Sequence, residues 1–134
     1  MTGRSPEEIM LDARTIAMVG ASPRPHRPSH GVMRYLLRAG FRVYPVRPGD
    51  CDEVLGVPCV TRLSEIEEPI DLVDVFRRAE FCADVAREAV AVGAGALWLQ
   101  LGIVSADARA IAAAGGIDFV EDECTAVVHR TLGP

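Results

Sequence analysis

Residues 15–48 decide the fold, and they have the sequence TIAMVGASPRPHRPSHGVMRYLLRAGFRVYPVRP. The first five residues show no alternation of apolar and polar side chains, which is typical of a strand buried on both faces of a sheet. After a loop with three prolines, apolar residues recur at helical spacing from Val32 to Leu37, and Gly40 provides a helix end. Residues 41–46 predict a second strand. The stretch therefore predicts a strand, a loop, a helix and a second strand.

The same alternation continues along the rest of the chain. Further strands are predicted at residues 71–76, 96–101 and 117–120. The segments predicted between them are a short capped turn at residues 64–67, a helix with Phe81, Val85, Ala89 and Val92 on one face, and an Ala-rich helix at residues 105–114. At the N-terminal end, Ser5 and Glu8 flank Pro6 as a capping box, which predicts a short helix running toward Arg14.

Strands that alternate with helices need right-handed crossovers, which place helices on both sides of an open parallel sheet. We therefore predict an α/β fold, a Rossmann-like doubly wound sheet of about five parallel strands in three α/β/α layers. The 134 residues contain no linker, repeat or break in composition, although residues 48–58 form a poorly patterned loop. Residues 1–134 are thus predicted to form a single domain.

Composition and charge exclude several classes of function. Hydrophobic residues make up 49% and charged residues 25%, which indicates a folded domain. No apolar run approaches the roughly 18 residues of a membrane span, and the N-terminal residues do not resemble a secretory signal, so we expect a cytoplasmic protein without membrane contact. The net charge of -5 argues against nucleic acid as a partner. All 14 basic residues are arginine, which excludes a Schiff-base or P-loop lysine.

Cysteine and histidine do not form a recognisable metal-binding pattern. The cysteines, none of them in a CxxC pair, are Cys51, Cys59, Cys82 and Cys124. This spacing supports neither a zinc knuckle nor a thioredoxin-like motif, and we expect free thiols. His26 and His30 lie four residues apart without a cysteine or carboxylate pattern to complete a site, so no metal is expected.

The loop after the first strand suits a phosphate group. In an open α/β sheet, ligands bind beyond the carboxyl ends of the strands, near the point where strand order reverses. Gly20 permits close approach of the backbone, Ser22 and Ser29 offer hydroxyls, and the free amides of the following helix favour an anion. Arg24 or Arg27 could pair with phosphate oxygens. Since the GxGxxG fingerprint is missing, a structural turn capped by Ser29 with solvated arginines stays an alternative.

The ends of the next two strands also carry arginine. An NAD site usually presents a carboxylate after the second strand, whereas this chain has Arg47, which favours the 2′-phosphate of NADP or the 3′-phosphate of coenzyme A. An exposed arginine before a proline turn is the alternative. After the third strand, Arg77 and Arg78 add positive charge, and Phe76 could pack on a base or a pantetheine chain. Two solvated arginines at a helix start are the alternative.

Groups for catalysis are sparse. Cys124 and His129 could form a thiolate-imidazole pair if the turn between them folds back, and a buried structural thiol is the alternative. The carboxylates that could act as general bases, or simply form a solvated edge, are Asp74, Glu121, Asp122 and Glu123. No catalytic triad or nucleophile elbow is visible, and Trp98 and Phe119 are expected in the core. Enzymatic activity is left open, with a binding protein favoured.

Four segments in order carry a family resemblance: GASP at residues 20–23 with RPS at 27–29, YPVRP at 44–48, DVFRR at 74–78, and WLQLG at 98–102. Together they resemble the small stand-alone CoA-binding proteins, which are similar to the CoA-binding domain of the succinyl-CoA synthetase alpha subunit. The likeness covers about residues 10–130. Arg47 departs from the family pattern, which commonly has Asn before this proline.

The resemblance implies a Rossmann-like fold that binds coenzyme A, with phosphate held by the first loop and the following helix. The residues to which it assigns binding are Gly20, Ala21, Ser22, Arg27, Ser29, Arg47, Pro48, Arg77, Arg78, Gln100 and Gly102. The family also tends to have a cysteine and a histidine near the C-terminus, where Cys124 and His129 stand here.

The leading hypothesis is a protein that binds coenzyme A or an acyl-CoA without catalysis of its own. One alternative is an NADP-dependent reductase, suggested by Arg47 and the fold, although no second domain for a substrate is visible. Another is a thiol-regulatory protein in which Cys124 forms a mixed disulfide with coenzyme A. A homodimer or an unidentified protein partner stays open.

Overall fold

The computed structural model describes residues 3–133. Its strands are β1 (Thr15–Val19), β2 (Arg42–Val46), β3 (Glu53–Val54), β4 (Val57–Pro58), β5 (Leu72–Val75), β6 (Ala96–Leu99) and β7 (Asp118–Val120). Its α-helices are α1 (Pro6–Asp12), α2 (Pro28–Arg38), α3 (Ala79–Ala91), α4 (Ala106–Ala114) and α5 (Thr125–Thr131). A 3-10 turn, Leu63–Glu65, stands where a capped turn is predicted at residues 64–67.

The main sheet has five parallel strands in the order β2-β1-β5-β6-β7. From β1 the chain first adds β2 on one side and later β5 on the other, so strand order reverses between β1 and β5. This topology confirms the predicted α/β Rossmann-like class. Every residue of β1, β5 and β6 is buried, and all of these residues except Thr15 and Asp74 are apolar.

The sheet separates two hydrophobic layers. One contains the inward faces of α3 and α4, and the other contains those of α1, α2 and α5. Trp98 is fully buried in the second layer, where its indole Nε1 donates a hydrogen bond to the Glu123 carbonyl oxygen at 2.7 Å. Phe119 is only half-buried, and the Arg109 guanidinium covers its ring, because β7 is an edge strand. The prediction of a core position is therefore confirmed for Trp98, whereas Phe119 packs against the core from a half-buried position at its edge.

Local signals predict the helix starts correctly where a side-chain cap exists. At α1, the Ser5 hydroxyl accepts from the Glu8 amide at 3.1 Å and the Glu8 carboxylate accepts from the Ser5 amide at 2.8 Å. Ser105 caps α4 by accepting from the Ala108 amide. Such caps satisfy amide groups that the helix itself leaves unpaired.

Two elements differ from the sequence expectation. The unpatterned loop predicted at residues 48–58 contains the β3–β4 hairpin, whose turn places Leu55 and Gly56 at φ values of 51° and 81°. No local signal predicts helix α5, because it has no side-chain cap at Cys124 and only seven residues. Its buried residues pack against α1 and α2, so tertiary contacts rather than local signals account for it.

The expectation of four free thiols is wrong for one pair. Cys51 and Cys59 form a disulfide across the β3–β4 hairpin, with their Cα atoms 5.9 Å apart. The hairpin turn brings together two cysteines that are eight residues apart, which spacing alone does not indicate. Cys82 is free and buried, and Cys124 is free and half-buried.

Among the helices of residues 3–133, none combines the length and the apolar character needed to cross a bilayer.

We expect Leu36→Ala to lower the free energy of unfolding by about 2–5 kcal/mol, because truncating an enclosed leucine leaves a cavity. Leu36 is 0% exposed on the inner face of α2. Leu11→Ala is the matched control, since Leu11 is 67% exposed on α1, and we expect a change within about 0.5 kcal/mol. Urea unfolding measures both, and equal losses would contradict the assignment of the α2 face to the core.

Candidate functional site

The predicted binding residues lie at the carboxyl edge of the sheet, and the loop after β1 contacts both neighbouring strands there. The Gly20 amide donates to the Val46 carbonyl oxygen at the end of β2, at 2.9 Å. The Arg47 Nη1 donates to the Ala21 carbonyl oxygen at 3.2 Å. On the other side, Gly20 lies against Phe76, which follows β5. The point of strand-order reversal therefore has this loop at its centre.

Gly20 is required by both backbone conformation and space. Its φ is +88°, and a Cβ atom there would lie 2.5 Å from the Phe76 carbonyl oxygen. No side chain larger than hydrogen fits without moving the backbone. The glycine thus lets the chain turn tightly between β1 and α2.

Serine hydroxyls hold the loop in place. The Ser29 Oγ accepts a hydrogen bond from the Ser22 amide at 3.1 Å, and the Ser22 Oγ accepts from the Arg24 amide at 3.1 Å. Ser29 is buried inside the first turn of α2 and is not its cap; the capping position is Arg27, whose side chain makes no capping bond. Ser29 is therefore not the cap that the alternative assumed, whereas Arg24 and Arg27 are exposed, as that alternative expected. Within the described residues, no side chain caps the N-terminus of α2, a position that favours an anion.

The arginines of the site have different surroundings. Arg47 is half-buried, and its Nε is enclosed without a hydrogen-bond partner among residues 3–133. Arg77 is half-buried beside Gly20, with its guanidinium 4.3 Å from the centre of the Phe81 ring. Arg27 is exposed, and Arg78 extends into solvent toward Glu80. Arg47 and Arg77 therefore flank the loop, whereas Arg78 points away from it.

Pro48 follows Arg47 at the exposed edge, and Phe76 is half-buried after β5. Gly102 has φ +86°, and its amide donates to the Asp122 carboxylate at 2.7 Å. This amide is already paired within the protein, so Gly102 shapes the turn after β6 rather than offering a free donor.

A buried polar cluster lies beneath the end of β6. Gln100 Oε1 accepts from the Thr125 amide and lies 3.1 Å from the Thr125 hydroxyl oxygen, which is also 3.0 Å from Asp74 Oδ2. All three residues are buried. Burial in an apolar environment raises the pKa of Asp74 to about 8, and the hydrogen bond from Thr125 opposes that rise. Sequence reasoning missed Thr125, because α5 has no cap or long periodic pattern to reveal it.

The residues considered for catalysis are engaged elsewhere. His129 lies in the last turn of α5, where its Nδ1 is 2.7 Å from the Tyr35 hydroxyl and its ring meets Phe41 edge to face. Cys124 stands before the first turn of the same helix. The conditional pairing of Cys124 with His129 therefore lacks its condition, because the intervening residues form a helix instead of folding back.

Two carboxylates of the acidic segment after β7 make hydrogen bonds within the protein. Glu121 accepts from the Ser105 amide and pairs with Arg109, and Asp122 holds the Gly102 amide. Asp74 is enclosed and has no access to a substrate. Within residues 3–133, no three His, Cys, Asp or Glu side chains are arranged to hold a metal ion.

A surface groove of about 540 Å³ lies away from this site. It is lined by residues of α1, of the chain around the C-terminal end of α2, and of α5, and contains His129 but none of the predicted binding residues. Arg14 and Arg42, which precede or begin strands, also line it. This groove is therefore at the amino edge of the sheet, opposite the loop at Gly20.

Comparison with known proteins decides the family. A family model described as a CoA binding domain matches residues 14–130. The chain belongs to this family of CoA-binding domains. The match spans all four strand-end segments that carry the resemblance, and the expected family is confirmed.

Relatives of this CoA-binding domain share nearly its whole length. The uncharacterized protein YneT of Bacillus subtilis (strain 168) is 41% identical over 123 residues, or 92% of this chain and 90% of YneT. A hypothetical protein from Pyrococcus horikoshii OT3 matches with a TM-score of 0.91 and 35% identity, over 98% of this chain and 94% of that one. A Thermus thermophilus protein matches with a TM-score of 0.90 and 36% identity, over 97% and 100%.

We expect Gly20→Ala to destabilise the CoA-binding domain by about 1–3 kcal/mol, since it combines a strained φ with a collision at the Phe76 carbonyl. Gly40→Ala is the matched control, because Gly40 also has a positive φ, +101°, but a Cβ atom there would have no neighbour within 4 Å. Thermal unfolding of both variants isolates the effect of the close approach. Equal losses would show that the contact with Phe76 is unimportant.

We expect Asp74 to lower the free energy of unfolding as pH rises. Its pKa of about 8 in the folded protein lies above the value of about 3.9 for an unfolded chain, so the folded state binds more protons between these limits. The stabilisation is complete below the lower value and is lost as pH rises toward 8, by at most about 1.4 kcal/mol per pH unit. Urea unfolding from pH 5 to 9 should show that the difference between wild type and Asp74→Asn changes in this direction. A constant difference would contradict a neutral Asp74.

Proposed function

We propose that this protein binds coenzyme A or an acyl-CoA at the carboxyl edge of its sheet, between β1 and β5, without catalysis of its own. Membership of the CoA-binding family supports coenzyme A as the ligand in general terms. The observation that carries the finer proposal is the uncapped N-terminus of α2, which lies beside Gly20 and is flanked by Arg47 and Arg77. Amide groups and guanidinium groups that converge at one point suit a phosphate-rich ligand.

Each predicted residue has a physical role in this proposal. The diphosphate lies at the loop of Gly20, Ala21 and Ser22, where Ser29 stabilises the backbone and Arg27 supplies charge from the helix start. Arg47 pairs with the 3′-phosphate, because its half-buried guanidinium lies beside the loop, where Nη1 binds the Ala21 carbonyl oxygen. The groups that line the rest of the ligand are Pro48, Phe76, Arg77, Gln100 and Gly102, and Arg78 adds positive charge from the solvent side.

The absence of catalysis is supported by how the reactive groups are used. Glu121 and Asp122 accept hydrogen bonds from backbone amides, and His129 is bonded to Tyr35. We further propose that residues 1–134 act as one nucleotide-binding domain in the cytoplasm, as its composition predicts. Nothing in this proposal requires a metal, a membrane or nucleic acid.

The two alternatives give different results with small ligands. An NADP-dependent reductase would use Arg47 for the 2′-phosphate and would prefer NADP over coenzyme A. A thiol-regulatory protein would use Cys124, which is half-buried and immediately precedes the Thr125 amide that binds Gln100. In that reaction the Cys124 thiolate attacks the disulfide of oxidised coenzyme A, forms the mixed disulfide and releases one coenzyme A thiolate. Intact mass with and without Cys124→Ala detects this product.

Isothermal titration calorimetry with coenzyme A, NADP, NAD and ATP tests the proposed function. We expect coenzyme A to bind selectively, and Arg47→Ala and Arg27→Ala each to weaken binding by about tenfold, since each removes a charge-assisted bond to phosphate. Arg38→Ala, an exposed arginine in the last turn of α2, is the matched control and should bind like wild type.

Dephospho-coenzyme A tests whether Arg47 binds the 3′-phosphate. Because it lacks the 3′-phosphate, it should bind wild type and Arg47→Ala with the same affinity. A preference for NADP would favour the reductase, and no binding of any ligand would overturn the proposal.

A further inference from the structure

In the Gln100–Thr125–Asp74 cluster, the backbone amide of Thr125 determines which atom of the Gln100 side-chain amide is the oxygen. The Thr125 amide lies 3.1 Å from the Gln100 side chain, and an amide N–H can only donate. The atom of Gln100 that faces Thr125 must therefore be its carbonyl oxygen Oε1, which fixes the orientation of the side-chain amide. Such a contact removes the usual ambiguity between the oxygen and nitrogen of a glutamine.

The Thr125 hydroxyl makes two contacts that cannot both use its single proton. Its oxygen lies 3.1 Å from Gln100 Oε1 and 3.0 Å from Asp74 Oδ2, but a hydroxyl carries only one proton. Gln100 Oε1 has no proton to give, so Asp74 must supply one for both contacts to be hydrogen bonds. A protonated Asp74 donates to Thr125, and Thr125 donates to Gln100.

The surroundings of Asp74 agree with a neutral acid. Its other oxygen, Oδ1, is enclosed without a partner among residues 3–133, which would be costly for an ionised carboxylate. Its neighbours on the adjoining strands are Met18 and Trp98, neither of which titrates between pH 5 and 9.

The titratable groups of the two helices nearest this layer do not provide a counter-charge. They are His129 and Arg130 on α5 with Cys124 before it, and His30, Arg34, Tyr35 and Arg38 on α2. None of them contributes to the raised pKa of Asp74, which arises from burial and is opposed by the Thr125 hydrogen bond. The acid is therefore neutral at pH 7.

The orientation of Gln100 leaves its amide nitrogen as a free donor. The fully enclosed unpartnered side-chain atoms among residues 3–133 are Arg47 Nε and Asp74 Oδ1, so Gln100 Nε2 is not enclosed. It has no hydrogen-bond partner in this part of the chain, although the rest of Gln100 is buried. Gln100 directly follows β6 at the carboxyl edge of the sheet. This edge thus presents N–H groups that can bind an acceptor.

We propose that Gln100 donates a hydrogen bond to a carbonyl oxygen of bound coenzyme A or acyl-CoA, and that Asp74 is a positioning residue that orients Gln100 through Thr125. This inference rests on the proposed function. Strands β1 and β6 are separated by β5, so Gln100 lies about 10 Å across the sheet from the phosphate loop. The acceptor is therefore a carbonyl of the pantetheine arm or of the acyl thioester, and not the diphosphate.

The chain of hydrogen bonds from Asp74 through Thr125 to Gln100, here called the relay, makes the affinity for coenzyme A or acyl-CoA depend on pH. When Asp74 ionises, it can only accept, and the Thr125 hydroxyl turns its proton toward the carboxylate. Gln100 Oε1 then faces a lone pair of Thr125 and keeps only the hydrogen bond from the Thr125 amide, so the Gln100 side chain is held less firmly in its orientation. Affinity should therefore be highest at neutral pH and should fall as pH rises past the point where Asp74 ionises.

Calorimetry at pH 7 and pH 9.5 with acetyl-CoA, coenzyme A and adenosine 3′,5′-bisphosphate tests the relay. Acetyl-CoA has no free thiol, and the bisphosphate has no carbonyl. We expect wild type to bind acetyl-CoA about three- to tenfold more weakly at pH 9.5, the equivalent of one hydrogen bond. Asp74→Asn should retain the affinity at pH 7 and lose this pH dependence, because its amide donates to Thr125 without titrating.

Variants of the other two residues separate positioning from folding. Thr125→Ser keeps the hydroxyl and should keep the pH profile, whereas Thr125→Val should weaken binding of acetyl-CoA at pH 7 and flatten its pH profile. Gln100→Glu keeps the acceptor for Thr125 but loses the free donor, so acetyl-CoA should bind about tenfold more weakly and the bisphosphate should bind as in wild type. A larger loss for acetyl-CoA than for coenzyme A assigns the bond to the thioester carbonyl, and an equal loss assigns it to the pantetheine arm.

Two results would overturn the inference while leaving the proposed function intact. One is an Asp74→Asn protein with the pH profile of wild type. The other is a Gln100→Glu protein that loses affinity equally for acetyl-CoA and the bisphosphate, which would indicate charge repulsion alone. If wild type binds neither coenzyme A nor acetyl-CoA at either pH, the proposed function fails together with the inference.

Discussion

At Gly20 the chain passes so close to the Phe76 carbonyl oxygen that a Cβ atom would lie 2.5 Å from it. This contact sets how tightly the loop after β1 can lie between the ends of β2 and β5. The hydrogen bonds from the Gly20 amide to Val46 and from Arg47 to the Ala21 carbonyl depend on the same approach. The N-terminus of α2 and the flanking arginines are therefore brought to one place by a backbone that only glycine permits.

A second constraint connects the sheet to its last helix. Asp74 lies within β5 between the fully buried side chains of its strand neighbours, and Thr125 binds it from the first turn of α5. Burial of the Asp74 carboxyl group lowers the free energy of unfolding at high pH. The same cluster holds Gln100 in a defined orientation at the carboxyl edge. The polar interior of this domain thus lies directly beneath the edge where a ligand is proposed to bind.

Much of the fold was predictable because its signals are local. The uninterrupted apolar strands, the capping box at Ser5 and the glycine after α2 each reflect the environment or dihedral angles of a few neighbouring residues. Helix α5, the β3–β4 hairpin and the Cys51–Cys59 disulfide were not predictable in this way. They depend on packing against distant segments, so their own sequences carry weak signals.

For the site, the sequence by itself determined which residue types stand at the strand ends. Gly20, Arg47, Arg77 and Gln100 follow strands, and parallel strands bring their carboxyl ends to one edge. Only the tertiary structure decided how these residues are used. It directed Arg78 into solvent, paired the Gly102 amide with Asp122, and separated Cys124 from His129 along one helix. It also brought Thr125 to Asp74, 51 residues away in sequence, because hydrogen-bond partners and burial are set by contacts between segments that no local pattern encodes.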